Sequence, residues 1–495
     1  MKKYIYTLLL LGLTSCTDFL NVPPSKNSQM EIETAEQLNA LLGNYVNFFK
    51  ENNMSSCWAT DDCGLTADLY KKETTCFQIS NVFHTLWDID GVANDSYEIL
   101  WTSEYQKIFT ANLVLDNLSK VSGDKTLKEK LRREAHFIRA VSYWQLVNTY
   151  AMLDTPENQK EPGVTLKQTT SFEEKTGRAT IEETNKLIEA DLKIALEETD
   201  PIIQNGKFRP WRISKTGAKA FAARYYLQKG NYDQALTYAQ GALAEYSTLI
   251  DYNTEFRYYE RQIPIRVGNV TKYLDFPFTL YSTDNDILTW KEFYYSRVLT
   301  TDNGWFIPSQ SLLDLYDHDH DLRYRYLMVE DFSFYKNAKQ VSYPGYTFFG
   351  SNSKPSGPTV PEMILIKAEC MIRKGQWSEG MQVLETLRKK RIEQSAYTPL
   401  AANNQNDALR HVLEERRREM PFSHRWFDAR RLNQNNDPSD DVEFVKQFYS
   451  YNISTVFVEQ ATKEYKLTKN SRRWASPIPY KETVSSQKEI VQNQY

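Results

Sequence analysis

The chain contains no CxxC pair, no HExxH helix, no GxSxG elbow and no glycine loop of the kind that cradles phosphate. The usual signatures of structural zinc, zinc hydrolases, serine hydrolases and nucleotide enzymes are therefore missing. Neighbouring carboxylates such as Asp61 with Asp62 and Glu173 with Glu174 do not make a glycosidase pair, which needs two carboxyls flanking one bond at about 5–10 Å. A basic excess is missing as well. Lys and Arg total 60 against 64 Asp and Glu, a net charge of −4, which speaks against nucleic acid as a partner. Beyond the first residues, no run approaches the about 20 apolar residues that a membrane span needs. No cofactor and no metal is expected, and enzymatic function, a hydrolase above all, is a remote alternative.

What the sequence does have begins at its start, "MKKYIYTLLLLGLTSC". Lys2 and Lys3 form a positive region and residues 4–13 an apolar one, the pattern of a cleaved secretory signal. Leu13-Thr14-Ser15-Cys16 matches a bacterial lipobox. Residues 1–15 are thus expected to be a lipoprotein signal peptide and Cys16 the lipidation site, since several acyl chains together anchor stably. Residues 16–28, with Pro23-Pro24, read as a tether. Cys57 and Cys63 are close enough to pair, but Cys76 leaves an odd one, so the pairing stays open. Cys370, in the apolar "MILIKAECMI", reads as core.

Aromatic content is high: 32 Tyr, 24 Phe and 10 Trp, 13% of the chain. Tyr and Trp favour half-wet places, where the ring packs and the polar tip stays hydrated. That allows exposed stacking surfaces, or a large helical scaffold with Tyr at helix contacts.

The clearest helix covers 127–152, where Ala135, Ile138, Val141 and Trp144 recur at three-residue steps and Phe137, Ala140, Tyr143 and Val147 widen the stripe. A second covers 181–198 and ends before Pro201. In "SKTGAKAFAARYYLQKGNYDQALTYAQGALAEY", Tyr226, Gly230, Tyr232, Ala235 and Ala242 stand where a tetratricopeptide unit places its aromatic, turn and small residues. A related unit has Ala368, Gly375, Trp377 and Gly380. Gly230 and Gly375 are expected at the inter-helix turns. The residues between the two units lack a sustained period. The chain divides accordingly into a helical scaffold over 29–250 interrupted by an irregular loop at 52–95, an irregular ligand-binding region at 251–358, more scaffold at 359–432, and an irregular C-terminal region at 433–495.

These residues, taken in order, resemble the SusD/RagB family of outer-membrane nutrient-binding lipoproteins. The resemblance runs from Cys16-Thr17-Asp18-Phe19-Leu20 through "ILWTSEYQKIFTANLVLDNL" and "EAHFIRAVSYWQLVNTYA", the two helix pairs and "ERRREMPFSHRWFDARR" to "PIPYKE" and "QNQY". Ser423-His424 replaces the family's acidic-glycine pair, and the end is shortened. The resemblance implies a mainly α fold, a tetratricopeptide-like, SusD-like helix-pair scaffold with large irregular loop-rich insertions. It also implies an outer-membrane, lipid-anchored, surface-exposed protein that captures oligosaccharides without catalysis and delivers them to a TonB-dependent transporter barrel of the SusC/RagA type. A RagB-like peptide importer is the alternative.

Two charged motifs read as structural. In "DHDHD", the family's Asp-x-Arg is matched by Asp321 and Arg323, an expected ion pair. "LEERRREM" balances acids and bases and reads as a solvated or internally paired helix face. For the ligand, flat rings can cover the apolar face of a sugar while nearby polar groups read its hydroxyls. Trp58 with Asp61 and Asp62, and Trp87 with Asp88 and Asp90, fit that description in the first irregular stretch. Tyr281, Trp290, Tyr294, Tyr295 and Trp305 fit it in the large insertion. Each ring has core packing as its alternative, and as a group some are expected to stack on ligand.

Overall fold

The computed structural model describes residues 31–171, 173–174, 177–258, 262–267, 270–274, 277–279, 287–301, 306–330, 342–349, 353–451 and 461–495. The expected signal, tether and lipidated Cys16, and also Tyr281 and Trp305, lie outside these residues.

Helices dominate. The first, α1 (Ala35–Gly43), begins at a reciprocal cap: the Thr34 hydroxyl accepts from Gln37 N at 3.2 Å, and the Gln37 side-chain oxygen accepts from Thr34 N at 3.0 Å. After several short helices come the long ones, α2 (Leu100–Asn117), α3 (Lys125–Tyr150) and α4 (Ile181–Ala195). The start of α3 is set by Asp124, whose carboxylate accepts from Leu127 N at 2.8 Å. Its stripe residues from Ala135 to Val147 are all buried, because α2 and α4 pack along its sides. Thr180 and Glu183 cap α4 reciprocally.

The two repeat-like units fold as α5 (Lys215–Gln228) with α6 (Tyr232–Glu245), and α7 (Val360–Arg373) with α8 (Trp377–Arg388). Gly230 has φ +68° and Gly375 φ +84°, so both turns use the left-handed backbone that glycine adopts without a Cβ penalty. Although far apart in sequence, the units meet in space: α6 packs on α7. The described part of the insertion packs back on the scaffold, with Tyr294 against Tyr246 and Tyr295 against Phe137, without separating the helices. Two further helices, α9 (Gln405–Glu419) and α10 (Arg425–Gln434), close the scaffold.

Buried charge pairs tie these layers together. Arg224 on α5 forks onto Glu362 on α7 at 2.8 and 2.6 Å, and Arg431 on α10 onto Glu369 on α7 at 2.6 and 2.8 Å. The charged face of α9 is paired within the molecule: Arg416 binds Asp428, Arg417 binds Asp62, and Arg418 binds Glu415. Asp321 and Arg323 form the expected pair at 3.0 and 2.8 Å, and Arg323 also reaches Glu415 and Glu419. His320 pairs with Asp317, and His318 stacks on Tyr324. Among the described residues, no group of three or more His, Cys, Asp or Glu side chains is placed to hold a metal ion. No helix there is long and apolar enough to cross a membrane.

The stretches read as irregular contain short elements below the length at which periodicity shows. Residues 52–95 carry the helices Met54–Trp58, Ala67–Lys72, Ile79–Thr85 and Ile89–Ala93. A small sheet joins three distant segments: β1 (Lys50–Glu51) runs parallel to β2 (Val298–Thr300), which pairs antiparallel with β3 (Ser353–Pro355). The C-terminal region contains a hairpin of β4 (Phe444–Tyr449) and β5 (Thr462–Leu467). Its last residues are pinned to the scaffold: Asn493 Nδ2 donates to the carbonyls of Tyr150 and Ser476, and the Tyr495 hydroxyl to that of Ala475. Cys57, Cys63 and Cys370 are buried as thiols.

Candidate functional site

The aromatic residues singled out from the sequence and described in the structure lie inside the protein, which corrects their reading as ligand-stacking rings. Trp290 is 1% exposed, with its faces and edges taken by Phe348 and Phe349 at centroid distances of 5.2 and 5.3 Å. Trp58 is buried in the same cluster, together with Phe293, Phe306, Tyr346 and Phe422. Trp87 stacks on Phe444 at 15° between planes and donates its indole N–H to the Ala59 carbonyl at 2.9 Å. Tyr294 donates to the Tyr246 carbonyl, and Tyr295 packs edge-on against Phe137 at 4.8 Å. A fully enclosed ring has no face left for a sugar.

The two acids read beside Trp58 are likewise engaged by the scaffold. Asp61 receives both arms of Arg425, at 2.7 and 2.8 Å, and Asp62 accepts from Arg417 Nε at 2.6 Å and from Phe422 N at 2.7 Å. Burial alone would raise the Asp61 carboxyl; the charges of Arg425 and Arg417 outweigh it and hold the group at about 2. These acids fasten the first irregular stretch to α9 and α10 and are not free to read hydroxyls.

The structure does open a cleft where the two irregular stretches meet. It encloses about 630 Å³, within the range of small-molecule sites. One wall comes from the segment before α2, with Ser96, Tyr97 and Ile99; the other comes from the insertion, with Ile287, Leu288 and Thr301. Tyr45 and Phe49, on the turn of helix Val46–Phe49, form its end and meet edge to face at 6.2 Å. Tyr97 is 47% exposed and Tyr45 37%. Their rings present apolar surface to solvent beside short polar side chains.

The sequence gives a local reason for that exposure. Tyr97 follows Asn94-Asp95-Ser96, turn formers that keep it off any helical face, and Asp95 Oδ1 accepts from Tyr97 N at 3.0 Å. The other oxygen of Asp95 binds Ser80 Oγ and His84 Nε2, which fixes the loop from below. Tyr45 follows Gly43-Asn44, where α1 stops.

The floor of the cleft is rigid. Thr300 on β2 donates to Asn52 Oδ1 at 2.9 Å and to the Glu51 carbonyl at 3.2 Å. Beneath β1, Lys107 Nζ donates to the Lys50 carbonyl at 2.8 Å and pairs with Glu104, which Arg297 also binds at 2.6 Å. Burial, with the charge of Arg297, brings the Lys107 ammonium down to about 8 despite Glu104 beside it. A network with its charges matched in this way fixes position, because moving one member strands another.

Comparison with known proteins gives a consistent picture. A SusD-like family model, described as starch-binding and associating with the outer membrane, matches residues 18–227, and the SusD family model matches residues 360–495. The SusD-like protein P2 of Formosa agariphila is 26% identical over 496 residues, covering 88% of this chain and 92% of that protein. A putative sugar binding protein from Bacteroides vulgatus shares the fold at a TM-score of 0.65 and 18% identity, over 94% of this chain and 99% of that one. A laminarin-binding SusD-like protein does so at 0.55 and 16%, over 93% and 99%.

Proposed function

Because the chain belongs to the SusD/RagB family, whose members are binding proteins without catalytic activity, we propose that it captures oligosaccharides in the cleft between its two irregular stretches. It is anchored to the outer membrane through Cys16, faces the cell exterior and hands its ligand to a TonB-dependent barrel of the SusC type. The matched family model is of starch-binding proteins, and a structural neighbour binds laminarin. The chemistry of the cleft brings a glycan to this chain.

The observation that carries this reading is the pairing of exposed Tyr97 and Tyr45 rings with Asn52, Ser96 and Thr301 around one cavity. A pyranose has an apolar C–H face and a rim of hydroxyls. An exposed ring covers the face and excludes water, while short polar groups exchange hydrogen bonds with the rim. Each stacked ring contributes on the order of 1–2 kcal/mol by area, so several sugars are needed to offset the freedom lost on binding.

Calorimetry with maltose-series and laminaribiose-series oligosaccharides, and with peptides, tests the assignment. We expect glycan binding that weakens about tenfold in Tyr97→Ala while circular dichroism stays unchanged. Unaltered affinity in Tyr97→Ala would place the site elsewhere, and binding of peptides alone would replace the glycan with a peptide. For the anchor, Cys16→Ala is expected to abolish acyl labelling and release the protein from the membrane fraction; retention there contradicts lipidation at Cys16.

A further inference from the structure

A second cleft, of about 850 Å³, lies on the other side of Lys50 and Asn52, which line both cavities together with Val46. Its wall is one face of α2. Trp101, Tyr105 and Phe109 follow one another at four-residue steps, the spacing that stacks side chains along a helix. Their exposure is graded. Trp101 is buried and packs on Tyr105 at 4.9 Å between centroids; Tyr105 is half-buried and donates to the Thr165 carbonyl at 2.6 Å; Phe109 is 46% exposed. A core stripe would bury its last ring too, and here it opens into the cleft.

The opposite side is polar. It carries Lys167 and, from the C-terminal segment, Glu482 and Ser486. Burial raises the Glu482 carboxyl above its ordinary value. The Thr102 hydroxyl, beside Trp101 on the cleft wall, is enclosed and has no hydrogen-bond partner among the described residues. A ring ladder facing hydroxyl-reading groups repeats the chemistry of the first cleft, across a divider only a few residues thick.

We propose that this second cleft is a further subsite for the same ligand, so that an oligosaccharide lies across the Lys50–Asn52 divider with one end on Tyr97 and the other on Phe109. The inference rests on the glycan reading of the first cleft. It adds a class of substrate: chains long enough to bridge both cavities, in preference to short ones. The α2 face is thereby a length gauge, since a sugar held at Tyr97 gains from Phe109 only once the chain crosses the divider.

The test is a ladder from disaccharide to octasaccharide in the maltose and laminaribiose series, titrated into wild type, Phe109→Ala, Gln106→Ala and Tyr97→Ala. Phe109 and Gln106 both line the second cleft and are exposed, and circular dichroism checks the folding of the variants. We expect affinity to climb in two stages with length. Phe109→Ala is expected to remove the second stage, about tenfold at the longest chains, and to leave the shortest unchanged, with Gln106→Ala acting in the same direction. Tyr97→Ala is expected to weaken binding at every length. If Phe109→Ala matches wild type at every length while Tyr97→Ala weakens binding, the second subsite is wrong and the first cleft stands. If Tyr97→Ala has no effect, or neither series binds, the reading of the first cleft falls and this inference with it.

Discussion

In the helix pairs, close contact depends on what side chains leave out. Gly380 on α8 faces α7 so closely that a Cβ there would lie 2.5 Å from Ile372 Cγ1 and 2.9 Å from the Ala368 carbonyl. Ala235, Ala239 and Ala242 of α6 are buried against their neighbours in the same way. Under the loop-rich face, contact depends on what side chains add: Trp58, Trp290, Phe293, Phe306 and Phe422 fill the space that no regular element fills. Helices satisfy their own backbone and can approach as bare cylinders. Loops cannot, so large rings and charge pairs must hold them. A density of aromatics in non-periodic sequence therefore marks a core as readily as a binding surface.

The largest expected effect separates those two meanings. Trp290→Ala is expected to lower the unfolding free energy by about 3–5 kcal/mol, as deletion of a buried ring does. Urea denaturation measures it. A ring that served only to stack ligand would leave stability unchanged and weaken binding instead, and that outcome would return Trp290 to the ligand surface.

A second prediction sharpens the role of the charge pairs. Asp61, Glu369, Glu415 and Asp428 are each pulled up by burial and brought down by neighbouring arginines to about 2, from ordinary values of 3.8 for Asp and 4.5 for Glu. Glu362 is driven lower still. Between those limits the unfolded chain binds more protons than the folded one. The stability these carboxylates contribute is thus fully present above the ordinary carboxyl values and is lost as pH falls toward about 2. Burial also lowers the His424 imidazole beside Glu362 from 6.5 to about 4, so urea midpoints are expected to fall gently below about pH 6 and more steeply below about pH 5. A level midpoint at about pH 3 would mean the pairs do not hold the fold.

How much of this was legible in the sequence follows from the same contrast. The helix pairs were readable because their signals are local: a 3.6-residue stripe, a capping Thr or Asp, a glycine at each turn. The partners of Asp61 and Asp62 were not, since Arg425 and Arg417 stand more than 350 residues away and leave no local trace. Trp58, Trp87, Trp290, Tyr294 and Tyr295 looked like ligand rings because nothing nearby announced what would cover them. Tyr45 and Tyr97 had a usable signal in the turn formers just before them, Gly43-Asn44 and Asn94-Asp95-Ser96, which deny the ring a helical face to bury. For this chain, isolation beside a turn distinguishes an exposed ring better than aromatic density does.

The smallest expected effects test the scaffold side of the comparison, where two kinds of glycine can be told apart by the same substitution. Gly380→Ala puts a methyl group into the α7–α8 contact, where the Ala368 carbonyl belongs to a helix backbone and cannot yield cheaply. Overpacking of that kind costs about 1–3 kcal/mol. Gly230→Ala meets nothing within 4 Å, so its cost is conformational alone: about 1 kcal/mol for holding an L-residue at φ +68°. A D-alanine introduced at 230 by chemical ligation favours positive φ and is expected to recover that loss, whereas at 380 relief requires removing the facing γ carbon, as in Ile372→Ala. Thermal melts of the four proteins decide the matter. Equal destabilisation by L- and D-alanine at 230 would mean that the turn is constrained by something other than its backbone angle, and a neutral Gly380→Ala would mean that the helices do not need the approach they make.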